Sequence, residues 1–291
     1  MYKCGYVGVV GKTNAGKSSL VNLLVGAKVS IVTPKTQTTR KNVLGILTKQ
    51  KTQIVFVDTP GIHKSQNKLD KFMMKNVRSA LSSVDVLLYV IDGNKRFDAK
   101  ELDIIKSYSQ NGELPTIVLI SKIDLISRRA LFEFLSNFSM LDFVKTIIPY
   151  STKTGRNTTL ILEEIEKYLP SSNTKNFLFD EDLYTDSTIR YISAEIVREK
   201  ALLSLQDELP HGIAIEVIKF DEQENIVHID MDLICERAGH KSIILGKQGS
   251  KIKEIGVAAR ADIEGLLGKK VMLKIFVKVN ENWRQNKITV V

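Results

Sequence analysis

Through the first 169 residues the chain alternates short apolar runs with stretches of helical spacing. Residues 6–10, 53–57, 116–120 and 145–149 read as strands. Between them the pattern turns helical, beginning at Ser19 and closing with a helix over 160–169. Repeated βα units of this kind predict a mostly parallel sheet with its functional loops gathered at one edge. Pro170, Ser171, Ser172, Asn173 and Thr174 then form a polar stretch led by a helix breaker, which reads as a linker.

Beyond the linker the order of elements changes. Asp186 and Ser187 offer an N-cap, and Ile189, Ile192, Ile196 and Leu203 follow at helical spacing. Two strand-like runs, 213–220 and 226–234, flank the polar turn Asp221-Glu222-Gln223-Glu224-Asn225. Next come the segment 242–253, a helix with Ile252, Ile255, Ala259, Ile263 and Leu266 on one face, and a last strand over 271–279. The predicted organisation is an α/β domain over 1–170, a linker over 171–185 and an α+β domain over 186–291.

Composition agrees with two ordinary globular domains, since 291 residues at 43% apolar content can bury two cores. The longest apolar stretch, 84–91, is interrupted by Asp85 and is far too short for a membrane span. Met1 leads almost directly into a strand, which predicts no signal peptide and a cytosolic protein. Cys4 and Cys235 are too few for a disulfide framework or a zinc site. The net charge of +9 is unevenly placed: residues 240–291 hold eleven Lys and Arg, Arg284 and Lys287 among them, against four Asp and Glu, a net +7. The remaining 239 residues carry only +2, so the footprint for a polyanion sits at the C-terminus.

Candidate chemistry begins at the first strand's end. Gly11, Lys12, Thr13, Asn14, Ala15, Gly16, Lys17 and Ser18, followed by Ser19, form G-x-x-x-x-G-K-[ST] between a strand and a helix. In that setting backbone N–H groups converge on phosphate and the helix N-terminus adds its positive end. Lys17 would reach the outer phosphates and Ser18 would hold magnesium. After the second strand, Asp58, Thr59, Pro60 and Gly61 place a carboxylate that could reach magnesium through water and an N–H that could meet the γ-phosphate. Ile62 stands where Ras-like GTPases carry the water-orienting glutamine. Isoleucine cannot orient water, so hydrolysis is expected to be slow and to use another device.

Two further strand ends, Ser121-Lys122-Ile123-Asp124 and Ser151-Thr152-Lys153, resemble the base-recognition motifs of translation-factor-like GTPases. A carboxylate at Asp124 accepts both the ring N–H and the amino group of guanine, a donor pair that adenine lacks. The stem of Lys122 would pack on the base face and Ser151-Thr152 would close its edge. Ser121 stands where the pattern usually has asparagine, a shorter reach for the same kind of bond.

In the basic region, Gly246, Lys247, Gln248 and Gly249 follow an apolar run and precede a helix, the setting of the KH G-x-x-G loop that clamps single-stranded nucleic acid. Lys247, Lys251 and Lys253 would supply charge.

Taken together, the chain resembles the Era family of bacterial GTPases with a C-terminal KH domain, over its whole length. Beside the motifs above, the most specific pieces are Gln37-Thr38-Thr39-Arg40, the stretch from Ala194 to Lys200, and Lys247 to Arg260. The resemblance implies a P-loop GTPase domain followed by a type II KH domain that binds the 3′ region of 16S ribosomal RNA, and a role in 30S subunit assembly. It also implies that Thr39 senses magnesium and the γ-phosphate, with Thr38 as its fallback. Asn14 resembles the asparagine that holds an activating potassium ion in cation-dependent relatives. Weak peripheral contact with the inner face of the cell membrane belongs to the same expectation, as does a monomer. The rival reading is a GTPase switch whose basic C-terminal domain docks a membrane or protein partner, its G-x-x-G loop being only a turn.

Overall fold

The apolar runs of the first half become neighbouring strands of one sheet. Residues 1–62, 68–206, 212–281 and Trp283 are described in this computed structural model; Arg284 and Lys287 lie outside the described residues. In chain order the first unit holds β1 (Tyr2–Val10), α1 (Lys17–Val25), β2 (Val43–Lys49), β3 (Thr52–Asp58), α2 (Lys68–Leu81), β4 (Val86–Asp92), α3 (Lys100–Tyr108), β5 (Thr116–Ser121), α4 (Arg128–Phe138), β6 (Val144–Pro149), α5 (Thr158–Tyr168) and β7 (Ser171–Ser172). The strand order is β2-β3-β1-β4-β5-β6, parallel except for β2 against β3, with β7 antiparallel to β1.

Every residue of β4 and of β5 is buried, because helices cover both faces of a parallel sheet. That is why these strands read as continuous apolar runs. One face packs Leu20 and Val21 of α1 with Ile161 and Ile165 of α5. The other packs Val77 of α2, Ile105 of α3, and Phe134 and Phe138 of α4. Chain order reverses at β1, so the loop after β1 opens into the crevice at the strands' carboxyl ends where α/β sheets bind ligands. The sequence pattern does not single out β2: it is an edge strand with half-exposed positions, and its register comes from β3, Val43 pairing with Asp58.

The stretch expected to be a linker is bound to this unit. Ser171 and Ser172 pair with Lys3 and Tyr2. Ile46 N–H donates to Tyr184 O at 2.8 Å. The fully buried Gln53 side chain donates to Phe179 O at 2.9 Å and accepts from the N–H groups of Leu178 at 2.8 Å and Phe179 at 3.1 Å. A single glutamine thus satisfies the backbone of a segment that lacks regular structure. The first unit accordingly extends to Asp186.

The second unit contains α6 (Ile189–Ser204), β8 (Ile213–Glu222), β9 (Ile226–Cys235), α7 (Ala238–Leu245), a single 3₁₀ turn (Lys247–Gly249), α8 (Ser250–Leu267) and β10 (Lys270–Val279). The sheet order is β10-β9-β8, with β8/β9 antiparallel and β9/β10 parallel. Ala194, Val197 and Ala201 of α6 and Ile255, Ala259 and Ile263 of α8 share one core with Val227, Ile229, Met231 and Leu233 of β9. The cap of α6 is Thr188, whose hydroxyl accepts from Tyr191 N–H at 3.2 Å, rather than Asp186 or Ser187. Ile31–Thr38, between α1 and β2 in the chain, also belongs to this unit. Ile31 joins its core, Val32 N–H donates to Glu199 Oε1 at 2.9 Å, and the fully buried Arg198, paired with Glu195, donates to Thr38 O.

Candidate nucleotide and nucleic-acid sites

The phosphate loop is shaped by positions that only glycine fills easily. Gly11 has φ 152°, and a Cβ there would lie 2.2 Å from Val90 O of β4. Gly16, at φ 94°, is the N-cap of α1 and offers no side chain to the helix, leaving its first N–H groups for an anion. Asn14 at φ 61° completes the left-handed bend. Ala15 is buried in the core beneath the loop. On the far side Gly61 approaches so closely that a Cβ would meet Thr13 Cα at 2.7 Å. Ile62 N–H donates to Gly11 O at 3.0 Å, and Thr59 Oγ1 donates to Val9 O at 2.8 Å, fixing the Asp58-Thr59-Pro60-Gly61 turn beside the loop. The Ile62 side chain packs into the core, consistent with an isoleucine that handles no water.

Lys17 is buried and folds back over the loop, donating to Gly11 O and Lys12 O, both at 3.1 Å. Burial pulls its pKa down to about 8, with Asp58 opposing. A polyphosphate beside the ammonium would raise that pKa again, so nucleotide binding above pH 8 must take up a proton. Affinity for GDP should therefore be flat between about pH 7, where the terminal phosphate is fully ionised, and about pH 8, and fall as pH rises from about 8 towards 10, losing up to tenfold per unit. Calorimetry in buffers of different ionisation enthalpy would read the proton directly; no uptake at pH 9 would contradict the assignment.

Three oxygens meet behind the loop. Ser18 Oγ donates to Asp58 Oδ2 at 2.7 Å and lies 2.9 Å from Thr39 Oγ1. Asp58 is fully buried, and burial pushes its carboxyl pKa up against the lowering effects of Ser18 and Lys17. Its Oδ1 has no hydrogen-bond partner, and neither has the buried Ser30 hydroxyl, which acts on the carboxyl as a close polar neighbour. A hydroxyl pair with an orphaned carboxylate oxygen is a hard, all-oxygen set that fits magnesium.

The base-recognition tails are tied to the same loop. Lys122, at φ 58°, donates to Asn14 O at 2.9 Å and to Asp92 Oδ2 at 2.8 Å. Ser121 Oγ donates to Ala15 O at 2.8 Å, so the short side chain here braces the phosphate loop. Ser151 Oγ donates to Asp124 Oδ1 at 2.6 Å, and that bond is the main reason the exposed Asp124 carboxyl sits below its ordinary pKa, with Lys153 adding to it. Thr152 follows Ser151 at the same strand end. Asp124 therefore presents an ionised carboxylate, one oxygen of which is held by Ser151.

In the second unit, the G-x-x-G loop has φ 70° at Gly246, 50° at Gln248 and 76° at Gly249. A Cβ on Gly246 would meet Lys251 Cβ at 2.8 Å, whereas Gly249 has room. Gly249 is the N-cap of the 18-residue α8 and leaves that helix end uncapped by any side chain. Lys247 and Lys253 are exposed, Lys251 is half-buried, and none of the three is ion-paired among the described residues. A helix N-terminus with three cations around it is suited to a phosphate chain.

Both halves match known proteins. A protein-family model described as 50S ribosome-binding GTPase covers residues 6–122, and a KH domain model covers 208–284. GTPase Era of Ruminiclostridium cellulolyticum is 40% identical over 286 residues, 98% of this chain and 95% of that protein. GTPase Era of Clostridium botulinum (strain Kyoto / Type A2) is 42% identical over 287 residues, 98% and 96%.

The chain belongs to the Era family of GTPases.

An Era solved with MgGDPNP and nucleotides 1506–1542 of 16S ribosomal RNA matches with TM-score 0.93 and 37% identity, covering 99% of this chain and 97% of that one. Aquifex aeolicus Era bound to GDP.AlF4− matches with TM-score 0.92 and 36% identity, covering 98% and 96%. Within this Era-family chain, sequence reasoning missed Asp92, which holds Lys122. Asp92 ends β4 at the same sheet edge, a position that could have marked it.

Proposed function

We propose that this Era-family GTPase uses the bound nucleotide to gate capture of the single-stranded 3′ region of 16S ribosomal RNA by its KH unit, in the service of 30S subunit assembly. The observation that supports this most is the likeness, over nearly the whole of both chains, to an Era solved with a magnesium nucleotide and that RNA segment. The family model's description names the large subunit, whereas the RNA in that relative belongs to the small subunit, and the near full-length match to that relative favours the small subunit.

Lys17 and the loop N–H groups hold the phosphates, Ser18 and Thr39, with Asp58 acting through water, hold magnesium, and Asp124 selects guanine. Magnesium, when bound, offsets phosphate charge. Thr39, which lies beside Ser18, is held by magnesium and the γ-phosphate in the GTP state and released when the γ-phosphate is lost, an order-to-disorder switch. With Ile62 packed in the core, hydrolysis is slow, as in Ras without its activator. Potassium placed by Asn14 supplies the missing positive charge; hydrolysis equal in sodium and potassium buffers would exclude it. The protein works as a cytoplasmic monomer, with at most weak peripheral membrane contact.

The deciding measurement is binding of a short RNA matching the 16S 3′ end, with GDP and with a non-hydrolysable GTP analogue, beside a scrambled RNA. Sequence-selective binding that is tighter in one nucleotide state is expected, and by linkage RNA should shift nucleotide affinity by the same factor. Equal, salt-sensitive binding of both RNAs in both states would leave only a basic surface on a GTPase.

A further inference from the structure

Tyr150 stands out among the buried polar side chains of the first unit. It is wholly inaccessible, packed with Ala15, Leu20 and Ile148, and its hydroxyl has no hydrogen-bond partner. That hydroxyl faces the phosphate loop: a Cβ built on Gly16 would lie 3.9 Å from it and 3.8 Å from Ser121 Oγ. Both hydroxyls therefore lie close to Gly16. The backbone of Tyr150 is fixed by its neighbours, its N–H donating to Ile120 O at 2.8 Å and its O accepting from Ile123 N–H at 3.3 Å. The main chain is thus held, and complete burial confines the ring. Burial, with Asp92 nearby, raises the phenol pKa against the lowering effect of Ser121, whose hydroxyl is already a close polar neighbour of the phenol, so the group remains a proton donor at every working pH.

We propose that Tyr150 is a positioning residue of the nucleotide site, donating to Ser121 Oγ when nucleotide settles the loop and completing a chain from Tyr150 through Ser121 to the Ala15 carbonyl. A serine hydroxyl has one donor and two acceptor sites. Ser121 has spent its donor on Ala15 O, so it can still accept. In a trans peptide the carbonyl and the next N–H point in opposite directions, so anchoring Ala15 O towards Ser121 turns the Gly16 N–H away from it. Lys122 treats Asn14 O the same way. Linked hydroxyls polarise one another, which strengthens the hold on the loop. The base tail and the phosphate loop are then braced by serine and tyrosine together, where serine alone has a short reach.

The proposal rests on the nucleotide reading of this site, and the test separates the two. GDP affinity and dissociation rate are measured with magnesium for the wild type, Tyr150→Phe, Ser121→Ala and the double variant, with thermal unfolding of each in the absence of nucleotide. Tyr150→Phe keeps the ring and removes one oxygen. It should weaken GDP binding about tenfold, or about 1.4 kcal/mol, chiefly through faster dissociation, while the nucleotide-free protein unfolds at the wild-type temperature or above it. Because Tyr150 acts through Ser121, the double variant should bind no more weakly than Ser121→Ala alone. GDP affinity of Tyr150→Phe within twofold of wild type, additive losses in the double variant, or a lowered unfolding temperature without nucleotide would each overturn the proposal. A wild type that fails to bind GDP would overturn the nucleotide reading and this with it.

Discussion

Asp124→Asn should exchange guanosine for xanthosine nucleotides as the preferred ligand, with GDP affinity falling about a thousandfold. Guanine presents a ring N–H and an amino group side by side, and an ionised carboxylate accepts both. Two charge-assisted bonds contribute about 1.5–3 kcal/mol each, so losing their match costs roughly two to four decades. Asparagine keeps an acceptor for the ring N–H but turns a donor towards the second position, where xanthine carries a carbonyl. Ser151 can still donate to the remaining side-chain oxygen, as it does to Asp124 Oδ1 at 2.6 Å. The side chain is exposed, so folding stability should stay within about 0.5 kcal/mol of wild type. Competition of GDP and XDP against a fluorescent nucleotide reads the exchange. Retained GDP preference in the variant would show that Asp124 does not read the base.

Gly249→Asp should reduce binding of the single-stranded RNA by about a hundredfold or more while the second unit stays folded. The position separates charge from sterics. A Cβ there would have Ile252 Cγ2 at 4.0 Å as its nearest neighbour, and aspartate is among the side chains that visit left-handed backbone, here φ 76°. What changes is that a carboxylate enters the N-terminus of α8 where a phosphate is to sit, and juxtaposed like charges cost several kcal/mol. One lost phosphate contact should also lower the salt slope by about 0.7. Titration of the RNA at several salt concentrations, with circular dichroism of the variant, tests both parts. Unchanged affinity would favour the reading in which the loop is only a turn. Gly246→Ala is the poorer probe, because its Cβ would press on Lys251 at 2.8 Å and distort the loop itself.

Much of the nucleotide site is legible in the residues because its demands are local. A glycine at 11 or 16, a lysine at 17 and a hydroxyl at 18 are required by the geometry of one loop, so they appear at fixed spacing. The same holds for Asp124 and Ser151, each placed by the end of its own strand. The G-x-x-G loop is legible for the same reason, its positive φ angles at 246 and 249 favouring glycine. Strand boundaries were less so. β2 is hidden by its exposed positions, and the cap of α6 moves to Thr188 because only the folded backbone shows which hydroxyl faces the first free N–H.

The sequence by itself determined the two-part organisation, the order of phosphate, switch and base motifs along the sheet edge, and the basic bias of the C-terminal domain. Only the tertiary structure decided which hydroxyl braces Ala15, that Asp92 holds Lys122, and that residues 171–186 are strapped to the first unit by the β7–β1 pairing, Gln53 and Ile46. It alone shows that the peptide bond from Thr38 to Thr39 passes from one unit to the other, with Thr38 O taken by Arg198 and Thr39 Oγ1 beside Ser18. The physical reason is range. Spacing and backbone angle are written in neighbouring residues, whereas a hydrogen bond between positions 106 or 160 apart in the chain costs no recognisable pattern in either partner.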